Sequence, residues 1–297
     1  MPSGILLLDK PQGLSSNGAL QRVRRAWRAA SAGHVGTLDP MATGMLPICL
    51  DEATKVIAAI EGGAKAYEFT LALGARTDTG DADGDVVERM PVPEFDATRL
   101  EAALAGFRGL QSQVPPMYSA LKREGRPLYE LARQGVVVER APRQVDIRRL
   151  EVRAIRADSL DLACECSKGT YIRVLGEDIA RALGTVGHLT RLRRPWVEPF
   201  RDMAMIGLEE AQDMAGSGAA KLLPPDAALQ AVPAAFMDAT QAEALRHGQA
   251  VHAVSEPPAS PGQRVRLYGP HRAFLGLGEV RPDGWLQPRR LLRQGAA

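Results

Sequence analysis

The chain has 297 residues, of which 45% are hydrophobic and 24% are charged, the composition of an ordinary globular protein long enough for one or two domains. No apolar run approaches the roughly 18 residues that a membrane-spanning helix needs, and three cysteines are too few for a disulfide framework. The net charge of +2 excludes no class of partner, and we expect a cytoplasmic protein that makes no contact with a membrane.

The first quarter of the chain predicts a strand, a helix and a second strand. Residues 5–8 form an apolar run that ends at the turn sequence DKPQG, as expected of a buried strand. Leu20, Val23 and Trp27 follow at the spacing of one helix face. Residues 67–73 alternate between two sets of side chains, of which one set is strongly apolar. This is the pattern of a strand with one buried face.

The middle of the chain continues with helices and strands in an irregular order. Residues 96–107 predict a capped helix, and residues 145–155 and 160–166 predict two paired strands. An apolar stripe then predicts a helix that stops at Gly184. Because the order is not a repeated βαβ unit, it favours an α+β fold with a mixed, mainly antiparallel sheet.

Three stretches indicate how the chain is divided. Residues 112–143 have a weak pattern with one short helical piece near 129–134, which is typical of an insertion. Residues 217–233 are rich in alanine and proline and indicate a linker, and many glycines among short apolar runs follow. We therefore predict a large domain over residues 1–232 and a small β-rich domain over residues 233–297.

The densest motif is GHVGTLDPMATGMLP at residues 33–47. Several helix breakers around Asp39 predict a loop with an unusual backbone, and such loops commonly present side chains for function. An aspartate before a proline does not easily occupy a helix. Taken alone, the spacing also allows a simpler interpretation, in which Asp39 caps a helix that begins near Thr43.

This motif resembles the signature GHxGxLDPxAxGxLP of the TruB family of pseudouridine synthases, and it matches every fixed position. The resemblance implies an isomerase that converts uridine to pseudouridine in the T-arm loop of tRNA, at uridine-55, by flipping the base and exchanging a C–N for a C–C glycosidic bond. It also implies that Asp39 is the catalytic carboxylate. Further blocks with the family's pattern follow in the family's order, together covering about residues 3–200, at residues 10–13, 76–84, 116–122, 167–173 and 192–194.

The resemblance assigns roles to five other residues. Arg173 corresponds to an arginine that pairs with the aspartate, and Tyr67 to a tyrosine that stacks on the target base. Tyr171 and Leu192 correspond to residues that line the uridine pocket, and His34 to a histidine that helps hold the flipped conformation. From residue type alone, Arg173 is equally consistent with a solvated helix start, Tyr67 with the core, and His34 with a structural hydrogen bond.

The same resemblance sets expectations for partners. It implies a thumb segment at residues 112–143, a PUA-like RNA-binding domain at the end of the chain, and a protein that works as a monomer without guide RNA. A carboxylate can catalyse the exchange without a cofactor or a metal, so we expect neither. The alternative is a non-catalytic protein that binds or folds tRNA on the same scaffold, a function that needs no such carboxylate.

Other chemical readings of the sequence are weaker. The acidic stretch at residues 78–85 has neither the first nor the twelfth ligand of an EF-hand, and Cys164 and Cys166 have no second cysteine pair to complete a zinc site. Clustered arginines offer a positive face for phosphate groups, although any one cluster can equally be an ordinary solvated surface. They lie within residues 22–28, 140–149, 191–194 and 289–293.

Overall fold

A computed structural model describes residues 3–217 and 222–293. In chain order the strands are β1 (Gly4–Lys10), β2 (Ala32–His34), β3 (Thr43–Leu50), β4 (Lys65–Leu73), β5 (Ala75–Thr77), β6 (Val86–Arg89), β7 (Gly109–Gln113), β8 (Lys122–Arg123), β9 (Arg126–Pro127), β10 (Arg143–Ile155), β11 (Ser159–Cys166), β12 (Gly187–Val197), β13 (Ile206–Gly207), β14 (Ala234–Phe236), β15 (Ser255–Glu256), β16 (Arg264–Tyr268), β17 (Phe274–Val280) and β18 (Leu286–Leu291). The helices are α1 (Ser16–Ala26), α2 (Ile57–Ile60), α3 (Ala97–Ala105), α4 (Leu128–Arg133), α5 (Ile172–Ala182), α6 (Leu208–Ser217) and α7 (Ala239–Arg246).

A nine-stranded sheet forms the centre of the large domain. Its strands lie in the order β13-β1-β3-β12-β4-β11-β10-β7, with β2 paired to β3. Strands β1 and β13 run parallel, as do β3 and β12, and the other described pairs in this sheet are antiparallel. This is the predicted mixed, mainly antiparallel α+β architecture.

The alternating side chains of each strand supply two separate hydrophobic cores, one on each face of the sheet. In β1, Leu6 and Leu8 pack into the core that also contains apolar residues of α1, α3, α5 and α6. Ile5 and Leu7 point to the opposite face and join a second core. Successive side chains of a strand point to opposite faces, so a sheet that is covered on both faces needs both sets to be apolar.

Most predicted elements of the large domain are confirmed. The alternation at residues 67–73 is strand β4, with Tyr67 and Phe69 buried on one face. Helix α3 begins after Asp96, whose carboxylate accepts a hydrogen bond from the Arg99 backbone as an N-cap. The paired strands are β10 and β11, and the short helix of the insertion is α4.

The small β-rich domain is a five-stranded sheet in the order β15-β14-β16-β17-β18. It packs closely against the large domain, because Leu277 of β17 lies in the second core beside Leu229. Lys55 Nζ donates a hydrogen bond to the Leu291 carbonyl at 2.9 Å. These contacts join the two domains through buried apolar surface as well as hydrogen bonds.

The stretch expected to be a linker has a different character where it is described. Pro225–Leu229 forms a 3-10 helix, and Ala228 and Leu229 are buried in the second core. The Asp226 carboxylate accepts a hydrogen bond of 2.7 Å from the hydroxyl of Tyr268 in the small domain. Residues 218–221 lie outside the described part of the chain. The described part of this alanine- and proline-rich stretch is therefore a packed connection between the domains. Small side chains such as alanine allow such close packing.

Among the residues described, no helix has both the length and the apolar character that crossing a lipid bilayer requires.

Candidate active site

Asp39 lies in the loop between β2 and β3, and two neighbouring elements hold this loop in place. Ser16 Oγ, at the start of α1, accepts a hydrogen bond from Leu38 N at 2.8 Å and donates one to Leu38 O at 2.9 Å. The Pro40 carbonyl accepts hydrogen bonds from Gly13 N at 2.8 Å and from buried Lys10 Nζ at 3.3 Å. The residues on both sides of Asp39 are thereby fixed.

The alternative in which Asp39 caps a helix near Thr43 is wrong. Thr43–Leu50 is strand β3, which pairs with β1, β2 and β12. Gly44 has a φ of +103°, and a Cβ atom there would collide with the Arg194 carbonyl. The breakers around Asp39 therefore permit a tight approach of two strands and do not end a helix.

Asp39 forms an ion pair with Arg173, which is 4% exposed in the first turn of α5. Arg173 Nε lies 3.0 Å from Asp39 Oδ2, and Nη2 donates to Oδ1 at 3.2 Å. Two donors of the guanidinium thus face two oxygens of one carboxylate, a geometry that orients the acid as well as pairing its charge. The solvated interpretation of Arg173 is wrong.

Three further groups hold the Arg173 guanidinium. Asp81 Oδ2 lies 3.5 Å from Nε, and the Thr79 carbonyl accepts from Nη1 at 2.7 Å. The Tyr118 carbonyl accepts from Nη2 at 2.6 Å. Sequence reasoning missed Asp81, which is 4% exposed. The acid-rich block at residues 76–84 contained the only signal for it, because the type of residue does not indicate which acid is buried.

The groups around Asp39 shift the pKa of its carboxyl in opposite directions. Burial raises the pKa of Asp39 above its ordinary value, and Arg173 lowers it in part. The Asp81 carboxylate raises the same pKa further. The result is a carboxylate that is more basic than one in water but still has a cation beside it, which suits a group that must react with its substrate.

A cavity of about 470 Å³ opens in front of this ion pair, within the size range of small-molecule sites. The Asp39 side chain is 34% exposed, so its carboxylate reaches the cavity. Of the predicted site residues, the cavity is lined by Asp39, Tyr67, Tyr171, Arg173 and Leu192.

The sheet and a glutamine position the pocket residues. Leu192 of β12 pairs with Phe69 of β4, two residues from Tyr67, so the side chains of Leu192 and Tyr67 lie on the same face of the sheet, and both line the cavity. Gln113 binds both backbone groups of Tyr171, with its Oε1 accepting from Tyr171 N at 2.8 Å and its Nε2 donating to Tyr171 O at 3.0 Å. The pocket walls are therefore set by residues that are far apart in the chain.

His34 is the predicted site residue that does not line this cavity. It pairs through its backbone with Ile48 at the end of β2, and its buried Nδ1 has no hydrogen-bond partner within the described residues. Burial lowers the pKa of His34, and Arg194 lowers it further, against a smaller opposing effect of Glu61. Its predicted role in holding a flipped nucleotide stays a prediction.

Two arginines that were candidates for phosphate binding have structural contacts. Arg193 makes a two-pronged ion pair with Asp9, at 2.9 and 2.7 Å. Arg194 is completely buried and donates to the carbonyls of Met45 and Gly36 at 2.8 and 3.1 Å. Neither is therefore a free surface cation, and Arg194 lines the cavity.

The insertion at residues 112–143 reaches the site directly. Besides the bond from its Tyr118 carbonyl to Arg173, the Tyr118 hydroxyl donates to Asp78 Oδ2 at 3.2 Å. Ser119 and Leu121 line the cavity. The ends of the insertion are anchored where Gln113 of β7 pairs with Arg143 of β10.

Two solved structures share the fold of this chain. The archaeal box H/ACA sRNP Nop10–Cbf5 complex matches 97% of this chain and 86% of the solved one with a TM-score of 0.72 at 20% identity. A Cbf5–Nop10–Gar1 complex matches 94% and 78% with a TM-score of 0.70 at 24% identity. Both solved proteins are at most 24% identical to this chain, and the matches show that the chain has the same fold.

The family follows from the sequence relatives. The chain matches the family model "TruB family pseudouridylate synthase (N terminal domain)" over residues 24–172 and two C-terminal models of the same family over residues 173–232 and 233–292. Proteins named tRNA pseudouridine synthase B from Chromohalobacter salexigens and Stutzerimonas stutzeri are 50% and 48% identical to it. These matches cover 97% and 98% of this chain and 94% and 96% of the relatives. The chain belongs to the TruB family of pseudouridine synthases, which are isomerases.

Proposed function

We propose that the protein isomerises uridine-55 in the T-arm loop of tRNA to pseudouridine, with Asp39 as the catalytic carboxylate. The observation that supports this most is the placement of the Asp39 carboxylate. It is held by Arg173 and faces a cavity large enough for a pyrimidine nucleoside. A carboxylate in that position gives no advantage to a protein that only binds tRNA, because the negative charge of the carboxylate repels phosphate groups. The catalytic function is therefore favoured over the binding-only alternative.

The reaction is an intramolecular exchange with no change in oxidation state. The N1–C1′ bond breaks and its electron pair stays on the uracil ring. The ring turns, and a C5–C1′ bond forms to the same ribose. C5 loses its proton and N1 gains one, so the atoms and charges of uridine and pseudouridine balance. Asp39 supplies the carboxylate for this chemistry at the ribose.

The base must leave its stack within the folded RNA before it can reach Asp39. Extrusion of a base costs a few kcal/mol, and stacking on an aromatic ring returns about 1–3 kcal/mol. Tyr67 is 8% exposed and lines the cavity, so it belongs to the core and offers a ring face to the base. Burial raises the pKa of Tyr67 to about 12, and the ring therefore stays a neutral phenol in the cell.

Replacing the Tyr67 ring tests the stacking role. We expect Tyr67→Leu to lower kcat/KM about 10- to 100-fold, because stacking is worth about 1–3 kcal/mol per base. Tyr67→Phe keeps the ring and serves as the matched control, with kcat/KM within about tenfold of wild type. Steady-state assays on a T-arm stem-loop measure both. Equal losses in the two variants would contradict a role of the ring face.

The rest of the RNA is held, in this proposal, by the insertion and the C-terminal domain. The insertion presents exposed Lys122, Arg123 and Arg126 beside the cavity, and cations of this kind fix the register of a phosphate backbone. We propose that residues 112–143 close over the T arm, that residues 233–297 form a PUA-like RNA-binding domain, and that the protein acts in the cytoplasm as a monomer without guide RNA.

The division of the chain at residue 233 predicts the effect of a truncation. We expect a protein that ends at Pro233 to convert a T-arm stem-loop at a reduced rate and to bind full-length tRNA at least about tenfold more weakly, since it lacks part of the positive surface. Its melting temperature is expected to fall, because the second core loses Leu277. Complete loss of the folded large domain, seen by circular dichroism, would contradict the boundary.

The direct test of the function is conversion of an unmodified tRNA transcript by the purified protein alone. Release of tritium from 5-³H-uridine measures turnover, and mass mapping locates the product. We expect pseudouridine at position 55 without added RNA or protein, and none in a transcript that has cytidine there. Binding without product would favour the non-catalytic alternative, and product at another position would refute the assignment of the target.

A further inference from the structure

Two buried cations in the cavity are not explained by the chemistry of Asp39. Arg194 is completely buried and Lys65 is 7% exposed, and both line the cavity. The hydrogen bonds of the Arg194 guanidinium go to the backbone carbonyls of Gly36, Thr37 and Met45. Lys65 Nζ donates to the Gly63 carbonyl at 3.1 Å. In the described part of the chain, neither side chain forms an ion pair with a carboxylate.

The two cations lie next to each other on one side of the catalytic loop. A Cβ atom at Gly36 would lie 3.1 Å from Arg194 Nη1 and 3.3 Å from Lys65 Cε, so both side chains converge on this glycine. Gly36 is three residues before Asp39 in the same loop. The pair of cations is thus built into the scaffold that positions the catalytic carboxylate.

Such an arrangement is unfavourable in the free protein. A buried charge normally has a charged partner, and apolar residues of similar size generally serve stability as well or better. Burial lowers the pKa of Lys65, and the positive charge of Arg194 lowers it further. Glu61 lines the same cavity without an ion pair to Lys65, and Asp39 is engaged by Arg173. Within the described residues, Lys65 and Arg194 therefore have no directly paired carboxylate, although Glu61 lies close enough to oppose the lowering of the Lys65 pKa.

The depth of the two cations indicates which part of the substrate supplies that charge. Lys168 lines the cavity and is exposed, so it lies at the mouth, where a phosphodiester of a bound RNA strand would pass. The flipped base goes deeper, against Tyr67, whose pKa is influenced by Arg194 at close range. Lys65 and Tyr67 are two positions apart on β4, so their side chains point to the same face of the strand. The two buried cations therefore lie near Tyr67, where the proposed function places the base.

We propose that Lys65 and Arg194 stabilise the negative charge that the uracil ring bears while it is detached from the ribose. This inference rests on the proposed function. When the N1–C1′ bond breaks, the electron pair is delocalised over N1 and the O2 and O4 oxygens of the ring, and the ribose is left electron-deficient at C1′. The charge disappears when C5 bonds to C1′, C5 releases its proton and N1 is protonated. Fixed cations in a water-poor cavity lower the energy of such a transient anion.

The test variant is Lys65→Met, which removes the charge and keeps the length of the side chain. Single-turnover conversion of a T-arm stem-loop at saturating enzyme is expected to slow about 10²- to 10³-fold, as when an oxyanion-stabilising donor is removed. The Kd for the RNA and its dependence on salt concentration are expected to stay at wild-type values. The melting temperature is expected to be unchanged or higher, since a buried uncompensated charge has been removed.

Lys168→Met is the matched control for a phosphate contact, and Lys65→Arg is the control for charge. We expect Lys168→Met to raise Kd and flatten its salt dependence, the two changes that Lys65→Met is expected not to show. Lys65→Arg is expected to recover at least part of the rate that Lys65→Met loses.

Three results for Lys65→Met would overturn the inference. The first is a single-turnover rate within a few-fold of wild type. The second is weaker RNA binding with a flatter salt dependence of Kd, which would indicate a phosphate contact. The third is a lower melting temperature together with the lost rate, which would indicate a structural role. The wild-type protein in the same assay reports on the proposed function. If it makes no pseudouridine, that function fails and this inference fails with it, whereas an active wild type with an undiminished variant refutes the inference alone.

Discussion

Asp39→Asn is expected to lower turnover by at least about 10⁴-fold, which is the scale seen when an essential nucleophile or base is removed from an enzyme. The amide has the shape of the carboxylate but neither its charge nor its basicity. Binding of tRNA is expected to stay within a few-fold of wild type, because phosphate contacts supply most of the affinity for RNA. Tritium release and a filter-binding titration measure the two quantities on the same preparation.

The contacts of Arg173 make this variant a clean experiment. Without the negative charge at Asp39, the guanidinium keeps Asp81, the Thr79 carbonyl and the Tyr118 carbonyl as partners. We therefore expect the fold to persist, which a thermal melt checks. Asp213→Asn, on an exposed position of α6, is the control for loss of a carboxylate elsewhere. Turnover by pure Asp39→Asn above about 1% of wild type would remove Asp39 from its proposed role.

Local sequence pattern was sufficient to predict the elements that hold the site. The alternation of β4 predicted a strand with Tyr67 on the buried face, and the breakers at residues 33–47 predicted a loop around Asp39. Both signals arise from interactions between residues close in sequence, where side-chain period and backbone preference determine the outcome.

Long-range contacts explain what the pattern could not predict. Arg173 pairs with Asp39, which is 134 residues away in the sequence. The residues next to Arg173 in the sequence do not indicate whether its side chain is buried or exposed. The helix that Thr43 could have begun competes with pairing of β3 to three other strands, and the pairing prevails. Likewise, Arg194 belongs to an arginine cluster that looks like ordinary surface in the sequence, but it is fully buried and donates to the carbonyls of Met45 and Gly36.

Arg173→Met is expected to lower both the stability of the protein and its turnover. This change leaves the buried carboxylate of Asp81 and the partly exposed carboxylate of Asp39 without the buried cation that lies between them. Breaking a buried pair in this way typically costs about 3–5 kcal/mol of stability, so the melting temperature should fall. Turnover at pH 7 is expected to drop about 10³-fold or more, because Asp39 loses both its orientation and its charged state.

The pH profile separates the effect on charge from the effect on orientation. Burial already raises the pKa of Asp39, Asp81 raises it further, and Arg173 opposes both. Removing the arginine therefore raises this pKa again, because a neighbouring cation favours the ionised carboxylate. A group that must be ionised loses activity as pH falls through its pKa, so the acid limb of the profile should move to higher pH and alkaline buffer should recover part of the rate.

Two control variants separate the effect of Arg173 on the charge of Asp39 from its effect on the orientation of Asp39. Arg173→Lys keeps a cation but not the two-pronged geometry, so we expect a rate loss with a smaller shift of the acid limb. Arg181→Met removes an exposed arginine of the same helix, whose ion pairs are with Glu177 and Asp178, and is expected to leave the profile in place. An Arg173→Met enzyme with an unshifted acid limb would mean that the arginine orients Asp39 without controlling its charge. That result would contradict the electrostatics of the site, in which burial raises the pKa of Asp39 and Arg173 is the main influence that lowers it.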